Sequence, residues 1–263
     1  MTGVWAEGAL RVEVSGGIAT LTVDRPQARN ALTLACWRAL PEIAAALGAD
    51  PAVRGVLVRG AGERAFSGGA DIAEFPEVYA TAERARAYND AVRAGQDALA
   101  RLSRPVVAAV FGACVGGGCG LALASDLRFA AEGARFGIPP AKLGAAYSFA
   151  DTKQLVELVG PARAKDILFS GRLLGAEEAL RIGLCDRVLP EDALIGAAED
   201  WLREVAGLSA VSVATAKRMV RAVQDGADAE TPELRALFDA AFASADFAEG
   251  YAAFLAKRAP KFP

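Results

Sequence analysis

The chain has 263 residues, 53% hydrophobic and 23% charged, which is long enough to bury a sizeable core and too apolar for a disordered protein. Its 29 basic and 32 acidic side chains, a net charge of -3, are dispersed without a block of like charge, so neither nucleic acid nor an anionic membrane surface finds an electrostatic footprint. Histidine is absent, which excludes Ser-His-Asp and Cys-His nucleophiles and zinc sites of the His-Glu-x-x-His type and leaves Asp, Glu, Tyr, Lys, Cys, water or the substrate as acid or base.

The first ten residues lack the basic start and apolar run of a secretion signal, and no apolar stretch approaches the ~20 residues that span a bilayer, so a soluble cytoplasmic protein is expected. Leu10 to Val14 and Ile18 to Val23, joined across Ser15-Gly16-Gly17, read as a hairpin. A helix follows from Thr33 to Leu47, interrupted by Pro41, and then a strand from Val53 to Arg59. Thr81 caps a helix that runs to Leu102, with Ala85, Tyr88, Val92, Gly95, Leu99 and Leu102 in three-four spacing. Val106 to Val110 and Asp126 to Ala130 are further strands. This alternation predicts an α/β core over residues 1–190. From Glu191 onward only helical signals remain, at Ser209 to Val223, from Thr231-Pro232-Glu233, and at Asp246 to Arg258, so residues 191–263 read as a helical region packed on the core or on a neighbouring subunit. The four cysteines, Cys36, Cys114, Cys119 and Cys185, have neither zinc-ribbon nor thioredoxin-like spacing and read as buried thiols.

Two glycine-rich segments carry most of the information: Ala65 to Ile72 and Phe111 to Asp126. The second sets a triple glycine after an apolar strand and before a small-residue helical run, Gly118 to Ser125. There backbone amides are free to meet negative charge, an anion or a developing oxyanion. A dinucleotide fingerprint starting at Gly116 fails at Leu121, and no Gly-Lys-Ser/Thr ending completes a P-loop.

Together these segments resemble the crotonase (enoyl-CoA hydratase/isomerase) superfamily, whose two oxyanion motifs stand here as Ala65-Phe66-Ser67-Gly68-Gly69-Ala70-Asp71 and Gly112-Ala113-Cys114-Val115-Gly116-Gly117-Gly118. The resemblance extends over essentially the whole chain, through Asp24-Arg25-Pro26, Asn30-Ala31-Leu32, Phe136-Gly137-Ile138-Pro139, Leu143-Gly144, Gly160-Pro161, Ala176 to Gly183 and Gly250 to Arg258. It implies an α/β, crotonase-like spiral of ββα repeats with a C-terminal helical trimerisation region, and a homotrimer or a hexamer of two trimers. The oxyanion amides are then those of Ala70 and Gly117. Coenzyme A enters only as part of an acyl-CoA substrate, with no metal and no other cofactor. The resemblance places it along Arg25, Ala28, Ala70, Asp71, Ile72, Ala73, Gly116 and Gly117, while Phe254 and Lys257 stand where related enzymes reach a neighbour's adenosine phosphate.

Hydratases of this superfamily carry a glutamate after the second motif and another after the proline of Phe-Gly-x-Pro; here those positions are Gly120 and Pro140, and neither moves a proton. Ile138 to Tyr147 is more similar to members of the methylmalonyl-CoA decarboxylase type, which also lack the pair and have a tyrosine at the Tyr147 position. That likeness implies a lyase, with Tyr147 orienting a carboxylate or aiding reprotonation. Hydration or isomerisation through Glu74, Tyr147 or Asp151 stays open, as does a silent acyl-CoA-binding role. Asp71 reads as a loop anchor, Glu74 as an exposed residue at a helix start and Asp151 as a helix cap, while Ser67 and Ser148 have no histidine to activate them.

Overall fold

The structure, a computed structural model, describes residues 2–262. Strand β1 (Gly3–Trp5) pairs antiparallel with β2 (Leu10–Ser15), which turns directly into β3 (Ile18–Val23). The loop is only Gly16-Gly17, because Ser15 pairs with Ile18, and both glycines have the positive φ (56° and 82°) that a two-residue hairpin of this twist requires.

Helix α1 (Leu34–Ala49) starts where Thr33 accepts a hydrogen bond from the Cys36 amide. It runs through Pro41 without interruption, against the sequence expectation. Pro41 removes only the amide that would have met the Trp37 carbonyl, and that carbonyl faces the next long helix at Gly95, where a β-carbon would lie 2.9 Å from it. The chain continues as β4 (Gly55–Gly60), β5 (Ala65–Ser67), α2 (Phe75–Val78), α3 (Ala82–Ala100), β6 (Val106–Val110), β7 (Ala113–Val115), α4 (Gly117–Leu123), β8 (Leu127–Ala131) and β9 (Arg135–Gly137). After these come α5 (Phe149–Ser170), β10 (Leu173–Gly175), α6 (Ala176–Arg181), β11 (Arg187–Leu189), α7 (Leu194–Ala206), α8 (Ala210–Gln224), α9 (Pro232–Phe242) and α10 (Ala245–Leu255). Thr81 and Thr231 cap α3 and α9 as the sequence indicates.

Seven strands form one sheet in the order β1-β2-β3-β4-β6-β8-β11, parallel from β3 onward; β10-β9-β7-β5 form a second, in which only β10 is antiparallel. A strand of the first sheet, a strand of the second and a helix recur as β4-β5-α3, β6-β7-α4 and β8-β9-α5. This is the expected α/β spiral of ββα repeats. Every residue of β6 is buried, as a parallel strand covered on both faces demands.

Helix α7 lies on the C-terminal side of residue 190 yet covers the large sheet, with Leu194, Ala198 and Leu202 against Ile18, Leu57, Val107 and Phe129. The last three helices differ: α8 and α9 bury no residue, and α10 buries only Asp246 and Ala253. They are tied down by polar links, Lys217 Nζ donating to Asp126 Oδ2 (2.7 Å) and the Arg104 carbonyl (2.9 Å), and Ser209 Oγ to Asp246 Oδ2 (2.6 Å). All four cysteines are free and buried, and no described helix is long and apolar enough to cross a membrane.

Candidate active site

The first glycine-rich segment leaves β5 at Ser67 and turns through Gly69, whose φ of 100° suits only glycine; a β-carbon there would also lie 2.7 Å from the Val115 carbonyl oxygen. Ser67 Oγ accepts from the Gly69 amide (3.2 Å), so this buried serine shapes the turn and is no nucleophile. The Leu32 amide donates to the Gly69 carbonyl (2.8 Å) and the Asp71 amide to the Leu32 carbonyl (3.0 Å). These bonds fix the peptide on either side of Ala70 and leave its own N–H without an acceptor among the described residues.

Arg25 holds the loop from outside. Its guanidinium donates to the Ala31 carbonyl (2.8 Å) and pairs with Asp71 Oδ2 (2.8 Å), both side chains being about one-fifth exposed. Asp71 Oδ1 accepts from the Ala73 amide (3.2 Å) and starts the short turn Ile72–Glu74, so Asp71 is the loop anchor expected. Asn30, part of the run Asn30-Ala31-Leu32 that carries the resemblance, has a side-chain role the sequence did not show. Buried at φ 55°, it accepts from the Arg25 amide and donates to the Ala61 and Ala65 carbonyls, joining the Arg25 loop to the start of β5.

The second segment leaves β7 through Gly116, at φ 53° and ψ -116°, a conformation only glycine adopts readily, with its amide on the Gly137 carbonyl (2.8 Å). Gly117 opens α4, and its N–H has no acceptor within the described chain. A β-carbon on Gly117 would lie 3.5 Å from the Ala70 nitrogen and 3.3 Å from Trp37 Cζ2, which places the two unpartnered amides side by side on a half-buried surface. Gly118 lets α4 pack on β5, since a β-carbon there would meet the Ser67 carbonyl oxygen at 2.5 Å. Two fixed donors of this kind suit an oxygen that gains negative charge.

One turn further along α4, on the face of Gly117, stands Gly120. A side chain there would run into Gln96 Nε2 and would meet Asp151 Oδ1 at 2.9 Å from its β-carbon. Ser148, and not Asp151, caps α5: Asp151 is the third helical residue, its amide donating to Ser148 Oγ (3.0 Å) while the Ser148 hydroxyl donates to Asp151 Oδ2 (2.6 Å). The sequence expectation of a capping aspartate is thus corrected: Ser148 is the cap, and Asp151 is tied to its hydroxyl through both amide and carboxyl. Asp151 is 6% exposed and its Oδ1 has no hydrogen-bond partner. Burial pushes its pKa above the ordinary carboxylate value and the Asp97 carboxylate adds to this, against the opposing pull of the Ser148 hydroxyl and the adjacent Gln96 amide.

Tyr147 lies beside this group, its hydroxyl buried and unpartnered. Burial, followed by the neighbouring Asp151, Cys119 and Cys114, holds that hydroxyl protonated far beyond the ordinary tyrosine range. Gln96 Nε2, Trp37 Nε1 and Tyr88 Oη are likewise buried and make no well-aligned hydrogen bond, although the Gln96 amide lies against Asp151 and the Trp37 indole against Tyr88. Gln96 was legible as a glutamine beside Gly95 in the apolar stripe of α3, but nothing in the sequence shows that this stripe faces Gly120.

Other candidates lie elsewhere. Glu74 does not face the amides; its Oε2 accepts from the Leu34 amide (2.7 Å) and completes the capping of α1. Ala28 is half-buried in the turn Pro26–Ala28, Ile72 and Ala73 are exposed past the loop, and Pro140 starts the short turn Pro140–Leu143. Phe254 is 80% exposed, and Lys257, just past α10, makes no side-chain hydrogen bond or ion pair within the described chain. Two open grooves, of about 770 Å³ between α3, α8 and α9 and about 560 Å³ beside the start of α1, include neither Ala70 nor Gly117.

The family model described as enoyl-CoA hydratase/isomerase matches residues 13–263. A protein named probable enoyl-CoA hydratase from Mycobacterium bovis is 36% identical over 252 residues, covering 95% of this chain and 96% of its own length. A crotonyl-CoA hydratase from Syntrophomonas wolfei is 33% identical over 250 residues, 93% of this chain and 94% of its own. The crystal structure of an enoyl-CoA hydratase/isomerase family protein from Hyphomonas neptunium superposes with a TM-score of 0.93 at 44% identity, over 97% of each chain. With its spiral fold and paired glycine-rich turns, this chain belongs to the enoyl-CoA hydratase/isomerase family of the crotonase superfamily.

Proposed function

We propose that the protein is an enzyme acting on an acyl-CoA thioester, with the amides of Ala70 and Gly117 holding the thioester oxygen as it becomes an enolate. The observation that carries this reading is the convergence of two amides without internal acceptors, each fixed by its neighbours. Each such donor is worth about 3 kcal/mol in comparable sites, because it is aimed before the charge develops. Coenzyme A runs past Arg25, Ala28 and residues 70–73, and the exposed Phe254 and Lys257 serve a neighbouring copy in a trimer or hexamer. The uncovered faces of α9 and α10 support that assembly.

Within this class the reading is a lyase that decarboxylates a small malonyl-type thioester. Gly120 and Pro140 offer no proton-transfer group, and a departing carbon dioxide leaves its electron pair behind, so no base is needed and only the enolate must be held. Tyr147, kept neutral, orients the carboxylate as a donor. The relatives named hydratases, together with the Asp151 carboxyl beside Gly120, favour a second reading, hydration or isomerisation of an enoyl thioester.

Mass-spectrometric turnover of crotonyl-, longer enoyl-, malonyl-, methylmalonyl- and ethylmalonyl-CoA separates the two. Loss of carbon dioxide from a malonyl-type thioester is the expected result. Addition of water to crotonyl-CoA at an enzymic rate selects the second reading, and failure of the panel to react removes both.

A further inference from the structure

We propose that Asp151 is a catalytic residue of this site, the acid whose Oδ1 delivers a proton to the α-carbon of the thioester enolate. The inference rests on the enolate-stabilising role given to Ala70 and Gly117, but not on which bond breaks to form the enolate.

Position comes first. Gly117 and Gly120 share one face of α4, so the space above Gly120 adjoins the amide that would hold the thioester oxygen. That space is filled from outside α4 by Gln96 Nε2, which lies nearest, and by Asp151 Oδ1, 2.9 Å from where a β-carbon of residue 120 would be. The missing side chain on α4 and the carboxyl delivered from α5 are complementary: a residue larger than glycine at 120 would expel the carboxyl.

Orientation is set by Ser148. Its hydroxyl donates to Oδ2 at 2.6 Å and its oxygen accepts from the Asp151 amide at 3.0 Å, which uses one carboxyl oxygen and leaves the other unbonded. The proton of the neutral acid therefore sits on Oδ1, the free oxygen. The other carboxylates near the two amides are engaged: Asp71 pairs with Arg25 and caps the Ile72–Glu74 turn, and Glu74 caps α1. Burial favours the neutral form of the Asp151 carboxyl, while the Ser148 hydroxyl and the Gln96 amide set against it pull the other way; Tyr147, also beside it, keeps its hydroxyl unbonded.

The step balances without a co-reactant. The enolate C=C electron pair forms a C–H bond with the Oδ1 proton, the charge on the oxygen returns to re-form the thioester C=O, the Oδ1–H electron pair stays on Asp151 as a carboxylate, and water then reprotonates that carboxylate. In reverse, that carboxylate removes an α-proton from a saturated thioester. The protein should therefore exchange the α-protons of butyryl-CoA with deuterium from heavy water.

That exchange is the test, read by NMR on the intact protein alongside calorimetric binding of butyryl-CoA. Asp151→Asn is expected to slow exchange at least about 100-fold with binding unchanged, the range of a lost general acid–base group. Ser148→Ala, which keeps the carboxyl but frees its anchor, is expected to slow it about tenfold and serves if Asp151→Asn does not fold. Exchange at the wild-type rate in either variant, or absence of exchange in a wild-type protein that binds butyryl-CoA, overturns the proposal. Exchange that depends on Asp151 in a protein that releases no carbon dioxide upholds it while removing the decarboxylase reading.

Discussion

The corner around Gly117 and the last three helices are built on opposite plans. In the corner, backbone meets backbone: Gly69 and Gly118 allow approaches that a single β-carbon would forbid, Gly116 takes a backbone conformation that only glycine adopts readily, and the polar atoms around them are enclosed. In α8 to α10 the backbone is regular helix, yet Phe238, Phe242, Phe247 and Tyr251 pack ring on ring in the open, successively tilted, edge-on and stacked, with ring centroids 5.0 to 6.4 Å apart. The site's geometry is thus set within the single chain, whereas the outer faces of the tail expose large apolar side chains, Phe238, Phe242, Phe247 and Phe254 among them.

Substitutions sharpen this contrast. Gly118→Ala is expected to have the largest effect on stability, about 3 kcal/mol in denaturant unfolding, because its methyl group meets the Ser67 carbonyl at 2.5 Å and neither backbone yields. Stability within about 0.5 kcal/mol of wild type would show that the corner is looser than described. Gly120→Glu is expected to cost about 2 kcal/mol by displacing Gln96 and Asp151, and to be relieved when Gln96→Ala and Asp151→Gly are added. Absence of that relief would mean the three side chains do not share one space.

Arg25→Met leaves Asp71 without its partner and is expected to cost about 1–2 kcal/mol, with a rise in KM for the thioester larger than any fall in kcat. Smaller still is the effect of charge at Asp151. Its native pKa is raised, first by burial, so its contribution to stability is fullest below the ordinary value of 3.8 and is lost as pH rises through the raised native value. Asp151→Asn should therefore melt above wild type at pH 8 and with it at pH 3; a gap that widens toward acid would reverse the sign of this account. Phe238→Ser is expected to change the stability of the single chain by less than about 0.5 kcal/mol, yet to lower the assembled mass in sedimentation if the tail packs on a second copy.

The sequence showed the corner well because glycine is demanded by conformation there: Gly69 and Gly116 stand in motifs at positions other residues cannot occupy. It showed α3 and α9 through their threonine caps, and it misplaced the role of Asp151 because a serine three residues earlier competes for the same capping position. Helix α5 left no clear periodic signal, since Gly160, at φ 76°, breaks it into two segments with different buried faces. Contacts between distant helices were beyond reach. Nothing in the spacing along the chain brings Gln96, Gly120 and Asp151 together; the spiral does so by stacking α3, α4 and α5 from successive repeats.

Whether the Gly117 amide holds the thioester oxygen is read out by Gly117→Pro. Proline is tolerated at the first residue of a helix and removes that one donor. For whichever thioester the wild type turns over, kcat is expected to fall about 10²- to 10³-fold with the fold intact by circular dichroism and product binding retained. A folded Gly117→Pro protein with kcat within about twofold of wild type, far short of what losing one such donor costs, would contradict the account.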